Sequence, residues 1–243
     1  MFKQATMALL VVCALVVAGA AQKQKQEKAW TEWSKKDAEK VLKNSPWAQT
    51  QTDSDVTEDF YQPTQRGGFN DPARATEGNT NQAVHTNFYV RFFSARPIRQ
   101  ALARTMLLDM KDAQPQAVEG LKKFAELQAT DSIIVTVWFD SNDQRAGGKV
   151  LQALASAETS TLKNDAYLER KDGKRLFLQE YVKPGKDGFG ARFIFLRNVD
   201  GQPFITPDTG EVRFHAELGS KQEFKVDRRF KVADMMYEGA LEY

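Results

Sequence analysis

Between residues 165 and 218 the chain reads as a succession of short extended segments, at 167–170, 175–182, 192–197, 203–206 and 211–218. They are separated by Lys171-Asp172-Gly173-Lys174, Lys183-Pro184-Gly185-Lys186-Asp187-Gly188, Asp200-Gly201 and Pro207-Asp208-Thr209-Gly210. Gly, Asp and Pro supply the positive φ or the preset bend that a tight reversal needs, so consecutive segments fold back on one another as antiparallel strands. Val212, Phe214, Ala216 and Leu218 alternate with Glu211, Arg213, His215 and Glu217, and Phe224, Val226, Arg228, Phe230 and Val232 do the same against Lys225, Asp227, Arg229 and Lys231, one face of each strand being in the core. Phe177, Tyr181, Phe193 and Phe195 alternate instead with Leu176, Leu178, Ile194 and Leu196, so the middle strands are apolar on both faces and require cover on both.

The preceding region supplies helices for one of those two sides. Residues 84–93 alternate as a strand with Val84, Thr86, Phe88, Val90 and Phe92 on its core face. Pro97 suits the first turn of a helix whose buried stripe is Ile98, Ala101, Leu102, Thr105 and Leu108. A second helix is expected over 116–128, a central strand over 132–139 and a helix over 148–157. Strand, helices, strand, helix and then many strands define an α+β fold: an antiparallel β-sheet built mainly from the C-terminal half, packed with three or four helices from the N-terminal half. Residues 81–243 are expected to form this single α+β domain.

The first twenty residues read differently. Phe2-Lys3-Gln4 is a positive start, 5–17 is an uninterrupted apolar run and Ala18-Gly19-Ala20 has the small residues that a signal peptidase requires. Residues 1–20 are therefore expected to be a signal peptide, removed near Ala20, so that the protein is exported to the periplasm or beyond. Cys13 is the one cysteine and lies in this leader, with a branched Val12 where a lipoprotein box needs a small residue. The mature chain is thus cysteine-free, which excludes disulfides, thiol catalysis and thiolate metal sites. A formal charge of +2, from 34 basic and 32 acidic side chains, gives no field that would favour nucleic acid. No transmembrane segment is expected after the leader.

Residues 21–80 combine a short amphipathic helix with a long loop. Ser34 and Asp37 make a capping arrangement, and Trp30, Trp33, Ala38, Val41 and Leu42 share a stripe that ends before Ser45-Pro46. From Asp53 to Thr80 the chain is polar and broken by Pro63, Gly67-Gly68 and Pro72. Asp53, Asp55, Glu58 and Asp59 lack the glycine and the closing glutamate of a calcium loop, so a solvated acidic turn is expected there.

Catalytic motifs are scarce. There is no G-x-S-x-G elbow, and Gly147-Gly148-Lys149 lacks the first glycine and the hydroxyl residue of a phosphate loop. Gly185, Gly188 and Gly190 lie in a hairpin loop with the wrong spacing for a dinucleotide. His85 and His215 are the two histidines, which excludes a histidine-rich zinc site and leaves no metal or cofactor expected. The candidate binding residues are Trp30, Trp33 and Trp47, an aromatic platform for a sugar or protein partner, with His85 and His215. These features favour a non-catalytic binding module of the envelope or extracellular space; the competing reading is a secreted hydrolase using His85 or His215 with nearby carboxylates.

The segments Trp30-Thr31-Glu32-Trp33-Ser34-Lys35-Lys36-Asp37-Ala38, Ser45-Pro46-Trp47, Tyr167-Leu168-Glu169-Arg170-Lys171-Asp172-Gly173-Lys174-Arg175, Phe177-Leu178-Gln179-Glu180-Tyr181 and Phe230-Lys231-Val232-Ala233-Asp234-Met235-Met236-Tyr237 together resemble a family of exported bacterial proteins of unassigned function. The resemblance implies export and a single unit over nearly all of the mature chain, and it transfers no site residue.

Overall fold

The structure, a computed structural model, describes residues 28–55, 83–112, 114–129 and 131–243. The leader, Cys13, Glu58, Asp59 and most of the polar stretch lie outside the described residues. Trp30–Glu32 makes one 3-10 turn, and Trp33 is extended and separates it from α1 (Lys35–Lys43). The break follows from the cap: Ser34 Oγ accepts from the Asp37 amide at 3.2 Å while the Asp37 carboxylate accepts from the Ser34 amide at 3.0 Å. This reciprocal box stabilises a helix end by about 1 kcal/mol and fixes where α1 begins.

After α1 come β1 (Ala48–Asp55), β2 (Val84–Phe92), α2 (Arg96–Asp109), α3 (Pro115–Glu126), β3 (Ser132–Ser141), α4 (Gln144–Ser156) and α5 (Thr159–Leu162). The strand-rich half holds β4 (Ala166–Arg170), β5 (Arg175–Phe177), β6 (Glu180–Val182), β7 (Ala191–Leu196), β8 (Asn198–Val199), β9 (Gln202–Pro203), β10 (Glu211–Leu218), β11 (Phe224–Lys231), β12 (Met236–Tyr237) and β13 (Ala240–Leu241). The fold is α+β, with antiparallel sheets drawn mostly from the C-terminal half. The Gly147-Gly148-Lys149 run lies inside α4, whose N-cap Asp143 accepts from the Ala146 amide at 2.7 Å.

The strands expected as one sheet divide between two larger sheets, while the 203–206 segment contributes only Pro203, to the separate β8–β9 hairpin. One has the order β1-β2-β3-β7-β6, the other β11-β10-β4-β5. The segment 175–182 crosses from one to the other: the Leu178 amide bonds Ala166 O at 3.1 Å, in the smaller sheet, and the Gln179 amide bonds Ile194 O at 2.9 Å, in the larger. At the opposite side β1 meets β11 through side chains. Gln51 Nε2 donates to Lys225 O at 2.7 Å, its Oε1 accepts from the Asp227 amide at 2.8 Å, and Gln49 Nε2 donates to Arg229 O at 2.6 Å.

The sheets thereby wrap around one core. Phe88, Phe92, Phe193, Phe195, Phe214 and Phe230 are fully buried, with Phe92 edge-on to Phe230 at 4.9 Å and Phe193 edge-on to Phe214 at 5.2 Å. Val150 and Leu154 of α4 belong to the same core. Gly190 enters β7 with φ +89° and passes β3 so closely that a Cβ would lie 2.6 Å from Val137 O, which confines the position to glycine.

Besides the break at Trp33 and the earlier start of α4, at Gln144, the buried stripe of α2 departs from expectation. Leu108, placed on the stripe of α2, is 41% exposed, because α2 buries its first half, Pro97 to Ala101 and Ala103. A second small cluster, Trp30 with Ala103 and Ala125, joins α2 and α3.

Candidate functional site

A groove of about 690 Å³ runs between α1, the residues that follow it and the β12–β13 hairpin. That is within the size of ordinary ligand clefts, roughly 300–1,000 Å³. Trp33, Trp47, Tyr237, Val41, Pro46 and Pro97 give it apolar walls, while Lys28, Asp37, Lys40, Asn44 and Glu238 are its polar groups.

The aromatic walls are fixed by hydrogen bonds at their polar ends. The Trp47 indole N–H donates to Glu242 O at 2.9 Å, and its ring meets Tyr237 edge-on at 5.9 Å. The Tyr237 hydroxyl donates to Gln100 Oε1 at 2.8 Å, and the Arg96 guanidinium lies 5.1 Å from the Tyr237 ring centroid. Arg96 in turn pairs with Glu238 at 2.8 Å and Glu242 at 3.4 Å, tying the hairpin to the start of α2. Trp33, half-buried, donates from its indole to Lys28 O at 3.0 Å. Among the groove's acids, Asp37 is held below the ordinary carboxyl range by its side-chain and backbone hydrogen bonds to Ser34. Rigid aromatic faces with charges of both signs beside them are the groups that hold an extended peptide or a sugar ring.

The three tryptophans of the N-terminal region therefore separate. Trp33 and Trp47 line the groove, Trp47 being only 7% exposed and also part of the main core. Trp30 is buried and donates to Glu126 Oε1 at 2.8 Å, anchoring the 3-10 turn to α3.

The histidines lie in different sheets and are not brought together. His85, in β2, is exposed and its Nδ1 meets Ser54 Oγ at 2.8 Å. His215, in β10, is 5% exposed, stacked on Tyr167 at 4.7 Å, with Nδ1 3.2 Å from Asp227 and Nε2 3.3 Å from Glu217. Arg213 also bonds Asp227 through Nε at 2.9 Å and through Nη2. The Arg213 hydrogen bonds, assisted by His215, hold the Asp227 carboxyl at about 2, and the same contact raises the Arg213 guanidinium. Glu169 is lowered chiefly by its hydrogen bond to Arg175. Both ring nitrogens of His215 thus face carboxylates of its own sheet.

Among the described residues no group of three or more His, Cys, Asp or Glu is arranged to hold a metal ion. No described helix is long and apolar enough to cross a membrane. Sequence reasoning missed Pro97, Tyr237 and Glu238 as groove residues. Tyr237 belongs to the closing aromatic run, but nothing local signals that it meets Trp47, 190 positions earlier. No family model matches the chain, and no curated protein or solved structure matches it significantly.

Proposed function

We propose that this is an exported, non-catalytic binding module of the cell envelope or extracellular space, related to the exported bacterial family that its Trp and Tyr motifs resemble. Its partner, an extended protein segment or a glycan, lies in the groove between α1 and the β12–β13 hairpin. The observation that carries this reading is the convergence of Trp33, Trp47 and Tyr237 on one open cleft with charged groups beside it.

Trp33 is the residue to test, because it is half-buried and a ligand would cover its remaining face. Intrinsic fluorescence of the chain from residue 21 onward is titrated with peptidoglycan fragments and with proline-rich peptides. Saturable quenching by either, lost in Trp33→Ala while the circular dichroism spectrum is retained, supports the reading. Equal quenching in wild type and Trp33→Ala sinks it. Amino-terminal sequencing of the protein recovered outside the cytoplasm is expected to start after Ala20.

A further inference from the structure

Arg91 lies on the outer face of the five-stranded sheet and is 9% exposed. Its Nε donates to Leu42 O, at the C-terminal end of α1, at 2.8 Å. Its guanidinium carbon sits 5.4 Å from the centroid of the Tyr89 ring, and Lys43 Nζ lies 5.5 Å from the same centroid. Two cations thus converge on one aromatic ring.

Among the described residues no carboxylate pairs with either. Two acids of this sheet and its loops are engaged elsewhere: Asp140, on β3, accepts from Tyr89 Oη and, at 2.8 Å, from Asn87 Nδ2, and Asp187, in the loop before β7, pairs with Arg192 at 3.0 Å. Across the sheet Arg91 stands opposite Thr136, itself 1% exposed, and Thr136 stands opposite Arg192, so this row holds two guanidiniums and no acid. The partial negative charge of the α1 C-terminus meets Nε, but it amounts to only about half a unit charge. A buried cation without a full counter-charge is costly, and burial pushes the Arg91 guanidinium down to about 10. A guanidinium carries five N–H groups in a planar fork, and with Nε committed to Leu42 the Nη edge retains the spacing that grips two oxygens at once.

We propose that Arg91 and Lys43 form a binding site for an oxyanion, a carboxylate or phosphate group of a ligand, at the junction between the end of α1 and the outer face of the five-stranded sheet. Arg91 supplies the two-point grip, Lys43 a second charge, and Tyr89 the platform that holds both. Neither cation lines the aromatic groove, so this site stands or falls independently of the ligand proposed there.

The test uses the mature protein with inorganic phosphate and, in a parallel arm, acetate, the ionic strength being held constant with chloride. Thermal melting and the Arg side-chain Nε–H resonances in nitrogen-edited NMR are followed together. Phosphate, acetate or both are expected to raise Tm saturably and to shift the Arg91 resonance, and the stronger arm identifies the chemistry. Arg91→Lys, which keeps the charge and loses the fork, is expected to weaken binding roughly tenfold, the loss of one charge-assisted hydrogen bond. Lys43→Gln, an exposed change that leaves packing intact, weakens it less. A response no larger than that to chloride, or one unchanged in both variants, overturns the site; should Arg91→Lys fail to fold, Lys43→Gln alone decides between these outcomes.

Discussion

Arg213 and Arg91 sit on the outer faces of the two sheets and are balanced in opposite ways. Arg213 holds Asp227 through Nε and Nη2 and reaches Glu169 at 3.6 Å. Arg91, the more deeply buried, has a carbonyl and an aromatic ring. The difference originates in register. On the four-stranded sheet β10 sets His215 opposite Asp227 and Arg213 opposite Glu169, so each basic side chain finds an acid one strand away. On the five-stranded sheet the row Arg91, Thr136, Arg192 leaves a charge over. One face is electrostatically closed and the other is open to an added anion.

The sharpest way to break this contrast is Asp227→Ala. It leaves Arg213 with only Glu169, at 3.6 Å, and His215 Nδ1 without its acceptor, and since both side chains of the Arg213–Asp227 pair are partly solvated, the expected loss is about 2 kcal/mol in urea unfolding, below the full buried-pair cost. A loss under about 0.5 kcal/mol would make the cluster a solvated surface pair.

Acid exposes the same group without mutation. Asp227 titrates at about 2 in the folded protein against an ordinary 3.8, so its contribution is complete above 3.8 and disappears as pH falls through about 2. Unfolding free energy is expected to decline across that window in the wild type and to decline less in Asp227→Asn.

Arg91→Met is expected to lie within about 1 kcal/mol of wild type, or to be more stable, in anion-free buffer, since replacing an unmatched buried cation by an apolar chain is neutral or favourable. A loss above about 2 kcal/mol would show Arg91 to be fully satisfied by the protein and erase the contrast. The smallest effect belongs to Glu211→Gln: its pair with Arg229, at 3.1 Å and well exposed, is worth at most about 0.5 kcal/mol, read by the same unfolding curves.

Local chemistry explains what was legible in the sequence. Ser34 and Asp37 announce the start of α1, and the alternation over 211–218 coincides with β10. Local chemistry also hides β1. Its inward side chains include Gln49 and Gln51, which bond the backbone of β11 instead of filling the core, so Ala-Gln-Thr-Gln-Thr-Asp-Ser-Asp shows no apolar alternation. The split of 175–182 between two sheets is invisible because Leu178-Gln179 contains no turn residue; the change of partner is set by Ala166 and Ile194, both distant in sequence. The groove is equally nonlocal, with Trp47 bonded to Glu242 across 195 positions. Trp33 and Trp47 were found as candidates through their residue type, whereas Arg91 carries no local mark that it lacks an acid among the described residues.

The amides of Gln49 and Gln51 have a further consequence. An unpaired strand margin invites another chain to add on, yet here glutamine heads occupy main-chain positions of β11 that a visiting strand would need. Because that closure is made of side chains, amide exchange along the β1–β11 seam is expected to run ahead of the β10–β11 interior.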